Sequence, residues 1–146
     1  MTDVLTRDLV VVPGSARTKA EAIREAGELL VRAGAVTPAY VEAMAERERS
    51  MSTYMGGFLA IPHGTDESKG QIVRSALCLV RYDESIEWGP DKPVRVVVGI
   101  AGVGDEHLSI LSKIALVFAD PEQAARVLEV KDADELYELI SSVNEA

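Results

Sequence analysis

The sequence predicts a layered α/β domain, with helices packed on a Val-rich sheet. Three observations carry this reading. Short apolar runs of strand character alternate along the chain with segments of helical periodicity. The hydrophobic residues are mostly Val, Ala, Leu and Ile, and only 5% of the chain is aromatic. At 146 residues the chain suits one domain, residues 1–146. A domain of that size buries roughly two-thirds of its unfolded surface and needs no disulfide or metal.

The elements follow in order. Leu9–Val12 reads as a short first strand. Thr18 and Glu21 form a capping box that opens a helix running to about Ala33. Ala20, Ile23, Gly27, Leu30 and Val31 give that helix an apolar or small face, and Gly34 stops it. Thr37 and Pro38 read as an N-cap and first helical residue, starting a second helix that runs to about Arg49. The polar stretch Ser50–Gly57 reads as loop. Phe58–Ile61 is a short strand ending in Pro62, His63, Gly64 and Thr65. Ser75–Tyr82 and Val94–Ala101 are strands rich in Val and Leu, with the pattern of strands buried on both faces. Trp88, Gly89 and Pro90 lie between them. Gly102–Asp105 is a turn with Asp105 as a cap, and a helix follows from Glu106 to Phe118. Asp120 and Pro121 start another helix, and Asp132 through Glu135 cap a last one that ends near Ser142.

Charge and composition exclude several classes of function. The formal net charge is −9, and such a surface repels nucleic acid and anionic membranes. No stretch approaches the roughly 20 apolar residues of a membrane span, and the N-terminus lacks a signal-peptide pattern. A cytoplasmic protein is the expectation. Cys78, the single cysteine, sits in an apolar strand and reads as a core thiol.

Of the two histidines, His63 directly follows a strand, where α/β sheets carry ligands. Pro62 stiffens the approach. Gly64 leaves room at the ring and permits unusual backbone angles, and Thr65 adds a hydroxyl. Neutral imidazole is a nucleophile at neutral pH, and its second nitrogen can fix the tautomer by a hydrogen bond. Phosphoryl transfer fits this equipment, since it asks mainly for in-line positioning and charge stabilisation. His107 lies in the first turn of a helix after a buried strand. If that strand runs parallel to the one before His63, the two histidines leave the sheet side by side. Arg47 and Arg49 end the second helix and offer forked donors to phosphoryl oxygens.

Each feature has a plainer reading. An exposed histidine is usually surface, arginines near a helix C-terminus complement its dipole, and Tyr54 and Trp88 are packing residues. A zinc site is disfavoured, because the histidines are 44 residues apart without a short-range ligand motif. A serine hydrolase is disfavoured because no glycine-flanked serine elbow appears.

The chain resembles the enzyme IIA domain of the mannitol/fructose class of the bacterial phosphoenolpyruvate-dependent sugar phosphotransferase system. The resemblance is carried by Glu46-Arg47-Glu48, Ser52-Thr53-Tyr54-Met55-Gly56, Ala60-Ile61-Pro62-His63-Gly64-Thr65, Val98-Gly99-Ile100-Ala101 and Glu106-His107-Leu108. The Arg-Glu, Thr-Tyr and Gly spacing, with Trp88-Gly89, brings it closest to the mannitol branch. The resemblance implies a mixed, largely parallel central sheet flanked by helices on both sides. It implies that His63 takes a phosphoryl group from the phosphocarrier HPr and passes it to a cysteine of a IIB domain, serving sugar uptake. His107 would be the second active-site histidine and Arg47 the arginine beside the phosphoryl group, with Gly64 and Thr65 supporting. No cofactor, metal or nucleic acid is implied. Any link to a membrane IIC permease would run through IIB. The glycine-rich Gly102–Asp105 segment departs from relatives. Two other readings stay open: a regulatory phosphoacceptor of the nitrogen-related IIA type that controls an effector protein, and an interaction domain with an unused histidine. Phe58, Met51 and Met55 are expected to rim the docking surface, unless they are core.

Overall fold

A computed structural model describes residues 4–141 of the chain. A 3₁₀ turn, Arg7–Leu9, leads into β1 (Val10–Val11). Then come α1 (Lys19–Arg32), α2 (Pro38–Ser50), β2 (Tyr54–Gly56) and β3 (Leu59–Ala60). A second 3₁₀ segment, Asp66–Gln71, precedes β4 (Ala76–Glu87) and β5 (Pro93–Ala101). The chain continues with α3 (Glu106–Ala119), α4 (Pro121–Glu129) and α5 (Ala133–Ile140). The end expected near Ser142 lies outside the described residues.

The strands form one mixed sheet in the order β1-β4-β5-β3-β2. β1 pairs with β4 and β3 with β5 in parallel, while β4–β5 and β2–β3 are antiparallel. Helices cover both faces, as successive side chains of β4 make plain. Cys78 Sγ reaches the Ala26 carbonyl and Tyr82 Oη the Glu25 carboxylate, both on α1. Arg81, pointing the other way, donates to the Leu128 carbonyl on α4. Ala76 to Tyr82 and Val96 to Ala101 are buried throughout, so the two central strands are covered on both faces.

Capping chemistry sets the helix starts. Thr18 Oγ1 accepts from Glu21 N–H, and the Glu21 carboxylate accepts from Arg17 N–H. Asp120 and Asp132 likewise accept from Glu122 and Glu135 N–H. Thr37 stands at the N-cap of α2 with Pro38 after it, yet its hydroxyl is turned to Gln71. Asp105 does not cap: its backbone is already helical and its side chain makes no capping bond.

Other expectations shift. Ser50–Gly57 is not all loop, because Tyr54–Gly56 pairs with β3 at the sheet edge. β4 runs five residues past Tyr82, through an exposed polar stretch that only Ile86 ties to the core. On α1, Ala20 is exposed, whereas Ala22, Ala26 and Leu29 are buried. This helix is covered on two sides, by the sheet at Ala26 and by α2 where Gly27 meets Val41, so its buried arc is wider than one stripe.

Candidate functional site

Both histidines leave the sheet at one rim because β3 and β5 are parallel. The backbone continues the pairing past β3: His63 bridges Ile100 in parallel register, and Ile100 N–H donates to the Pro62 carbonyl at 3.1 Å. His107 follows β5 after a short turn. The two ring centroids stand 5.0 Å apart with planes tilted by 58°.

The His63 tautomer follows from its partner. Nδ1 lies 2.9 Å from the Ile61 carbonyl oxygen, which can only accept, so Nδ1 carries the proton. The neutral ring therefore presents its lone pair at Nε2. Both histidines are half-buried, His63 in the segment after β3 and His107 in the first turn of α3.

The turn before α3 is tied down by Ser75. Its hydroxyl donates to Glu106 Oε1 at 2.7 Å and accepts from Val103 N–H at 2.8 Å. Gly102 admits the first turn of α3, since a Cβ there would stand 2.5 Å from His107 Cα. Of the glycine-rich segment noted in the sequence, Gly102 is thus a packing requirement beside His107, whereas Gly104 stands in open space with a φ of 57°.

A cleft of about 580 Å³ opens over the pair. Arg47, His63, Gly64, Thr65 and His107 all line it, so the expected site residues converge. Arg47 Nη1 donates to the Met51 carbonyl at 2.7 Å, which fixes the guanidinium at the end of α2 and uses one of its five donors. Arg49 is exposed and does not line the cleft. Among the described residues no group of His, Cys, Asp and Glu is arranged to hold a metal ion.

Two sequence expectations need correction. Gly64 is not in the left-handed region, and the space beside it is taken by protein. A Cβ would stand 2.5 Å from Ser68 Oγ and closer still to the Tyr40 ring. Phe58 precedes β3 while His63 follows it, so Phe58 stands at the far end of that strand from the histidine. The exposed apolar side chain that does line the cleft is Leu108. Tyr40 and Ser75 were not found from sequence. Tyr40 reads as an ordinary apolar-face residue of α2, and nothing local marks Ser75.

Comparison with known proteins agrees with this geometry. The family described as "Phosphoenolpyruvate-dependent sugar phosphotransferase system, EIIA 2" matches residues 3–143. A mannitol-specific phosphotransferase enzyme IIA component of Halalkalibacterium halodurans is 46% identical over 142 residues, covering 97% of each chain. One from Staphylococcus aureus is 42% identical over 144 residues, covering 99% of each. Among solved structures, the complex of enzyme IIAMTL and phosphorylated enzyme IIBMTL from Escherichia coli matches with a TM-score of 0.88 and 34% identity, covering 94% of this chain and 97% of that one. The chain belongs to the IIA family of the sugar phosphotransferase system, as a phosphotransferase component of the mannitol type. No helix among the described residues is long and apolar enough to cross a membrane.

Proposed function

We propose that this chain acts as a single IIA phosphocarrier domain, in the cytoplasm, taking a phosphoryl group from HPr on His63 Nε2 and passing it to a IIB partner for mannitol uptake. The observation that carries this is the His63 ring itself: Nδ1–H is committed to the Ile61 carbonyl, which leaves Nε2 as the acceptor nitrogen of a ring that lines one cleft with Arg47 and His107.

The chemistry follows in two displacements. Nε2 attacks phosphorus in line; the N–P bond to the donor imidazole breaks and its electron pair leaves with that ring. In the second step a IIB thiolate attacks, an S–P bond forms, and the pair returns to Nε2. Little covalent help is needed, so the protein's part is alignment and charge. Arg47 offers guanidinium N–H donors to the phosphoryl oxygens, and His107 a ring N–H at close range. Gly64 and Thr65 shape the wall of the cleft.

The test uses radiolabelled phosphoenolpyruvate with enzyme I, HPr and the chain, followed by a mannitol IIB protein. The label should appear on the chain, vanish in mild acid, survive alkali, be absent from His63→Ala, and move on to IIB. A label stable to acid, or persisting in His63→Ala, refutes the assignment. A label that reaches His63 but never leaves for any IIB supports the regulatory reading instead.

A further inference from the structure

The parallel register His63↔Ile100 defines two backbone rungs, and only the first is made directly. Ile100 N–H donates to Pro62 C=O at 3.1 Å. The next rung would join Gly64 N–H to Ile100 C=O. The Tyr40 hydroxyl stands between those two groups. It accepts from Gly64 N–H at 2.9 Å and donates to Ile100 C=O at 2.8 Å. Tyr40 belongs to the first turn of α2 and is 2% exposed. We propose that Tyr40 is a positioning residue: its hydroxyl spaces the His63 segment from β5 and so sets the separation of the two histidines.

The placement supports this on three counts. The hydroxyl touches the residue after His63 on one side. On the other it touches Ile100, which the chain joins to His107 through the Gly102 turn. The Tyr40 ring fills the place a side chain at position 64 would need, so ring and glycine define each other. Burial raises the phenol pKa above its usual value, which keeps the proton that Ile100 C=O requires.

This inference rests on the phosphocarrier reading above. Tyr40→Phe removes one oxygen. It leaves either two buried backbone groups unpaired or a direct rung that draws the segments together. Transfer geometry tolerates little displacement, so kcat for phosphoryl transfer from phosphorylated HPr should fall about 10- to 100-fold while KM stays unchanged. The ring NMR signals of both histidines should shift, and the Gly64 amide should lose protection from hydrogen exchange. Wild-type kcat with unmoved histidine signals overturns the inference, and so does a rise in KM at constant kcat. Should the Phe variant fail to fold, the wild-type chain decides: a slowly exchanging Gly64 amide supports the bridge, and an unprotected one overturns it. If the wild-type chain itself takes no label on His63, the phosphocarrier reading has failed and not this one.

Discussion

The indole N–H of Trp88 donates to the carboxylate of Glu48 at 2.7 Å, joining the β4–β5 hairpin to the last turn of α2. The same carboxylate accepts from Thr53 N–H at 3.0 Å and Thr53 Oγ1 at 2.6 Å, and pairs with Lys19 at 3.2 Å. Its side chain is only 3% exposed. Four elements therefore converge on one buried charge, next in sequence to Arg47.

Glu48→Gln should destabilise the chain by about 2 kcal/mol, the scale of hydrogen bonds made to a charged group. Denaturant titration followed by fluorescence of Trp88, the single tryptophan, reads this directly. The pH dependence carries a sign. Burial raises the Glu48 pKa, but bonds from Thr53, Trp88 and Lys19 outweigh it, leaving it below the ordinary 4.5. The folded form thus binds its proton less readily than the unfolded chain. This stabilisation is complete above about pH 4.5 and is lost as pH falls through the lowered value. Glu48→Gln should flatten the acid limb of the stability curve; an unchanged limb and midpoint would show that the network contributes nothing.

His107→Ala should fold as the wild type does, because the ring is half-buried at a helix start and outside the core cluster. Transfer should slow by about 100-fold, the usual cost of deleting one donor to a transition-state charge. Single-turnover labelling from HPr and onward to IIB measures both directions. Wild-type rates in both would remove His107 from the chemistry.

Gly102→Ala is predicted to mimic His107→Ala by a different route. The added methyl would meet His107 Cα, Cβ and N at 2.5, 2.6 and 2.7 Å, and backbone atoms cannot swing aside. The first turn of α3 must move, at a cost of about 1–3 kcal/mol. Gly70→Ala is the control, since nothing lies within 4 Å of its Cβ position. Equal transfer by both variants would mean that α3 has freedom the packing denies it.

Why some of this was legible in the sequence and some was not has a physical basis. His63, His107 and Arg47 each sit at the end of an element whose periodicity or caps are local signals, so their positions followed once the elements did. That they meet depends on β3 and β5 being parallel, which sequence posed only as a condition. Tyr40 was invisible because its partner Ile100 is 60 residues away and its hydroxyl serves backbone groups, leaving no pattern in side-chain types. Ser75 and Glu106 hide for the same reason, 31 residues apart. β2 escaped because a three-residue edge strand needs no apolar alternation. Glu48, flanked in sequence by Arg47 and Arg49, carries no local sign of burial, and only tertiary packing encloses it.

Because β4 reverses between the two parallel strands, the Trp88–Lys92 bend points away from the rim that carries the imidazoles. The nine residues of β5 separate them by roughly 30 Å. Pro90 and Asp91 at that tip are exposed. A tether or fused neighbour joined there would sit at the back of the molecule, clear of the cleft that holds His63 and His107.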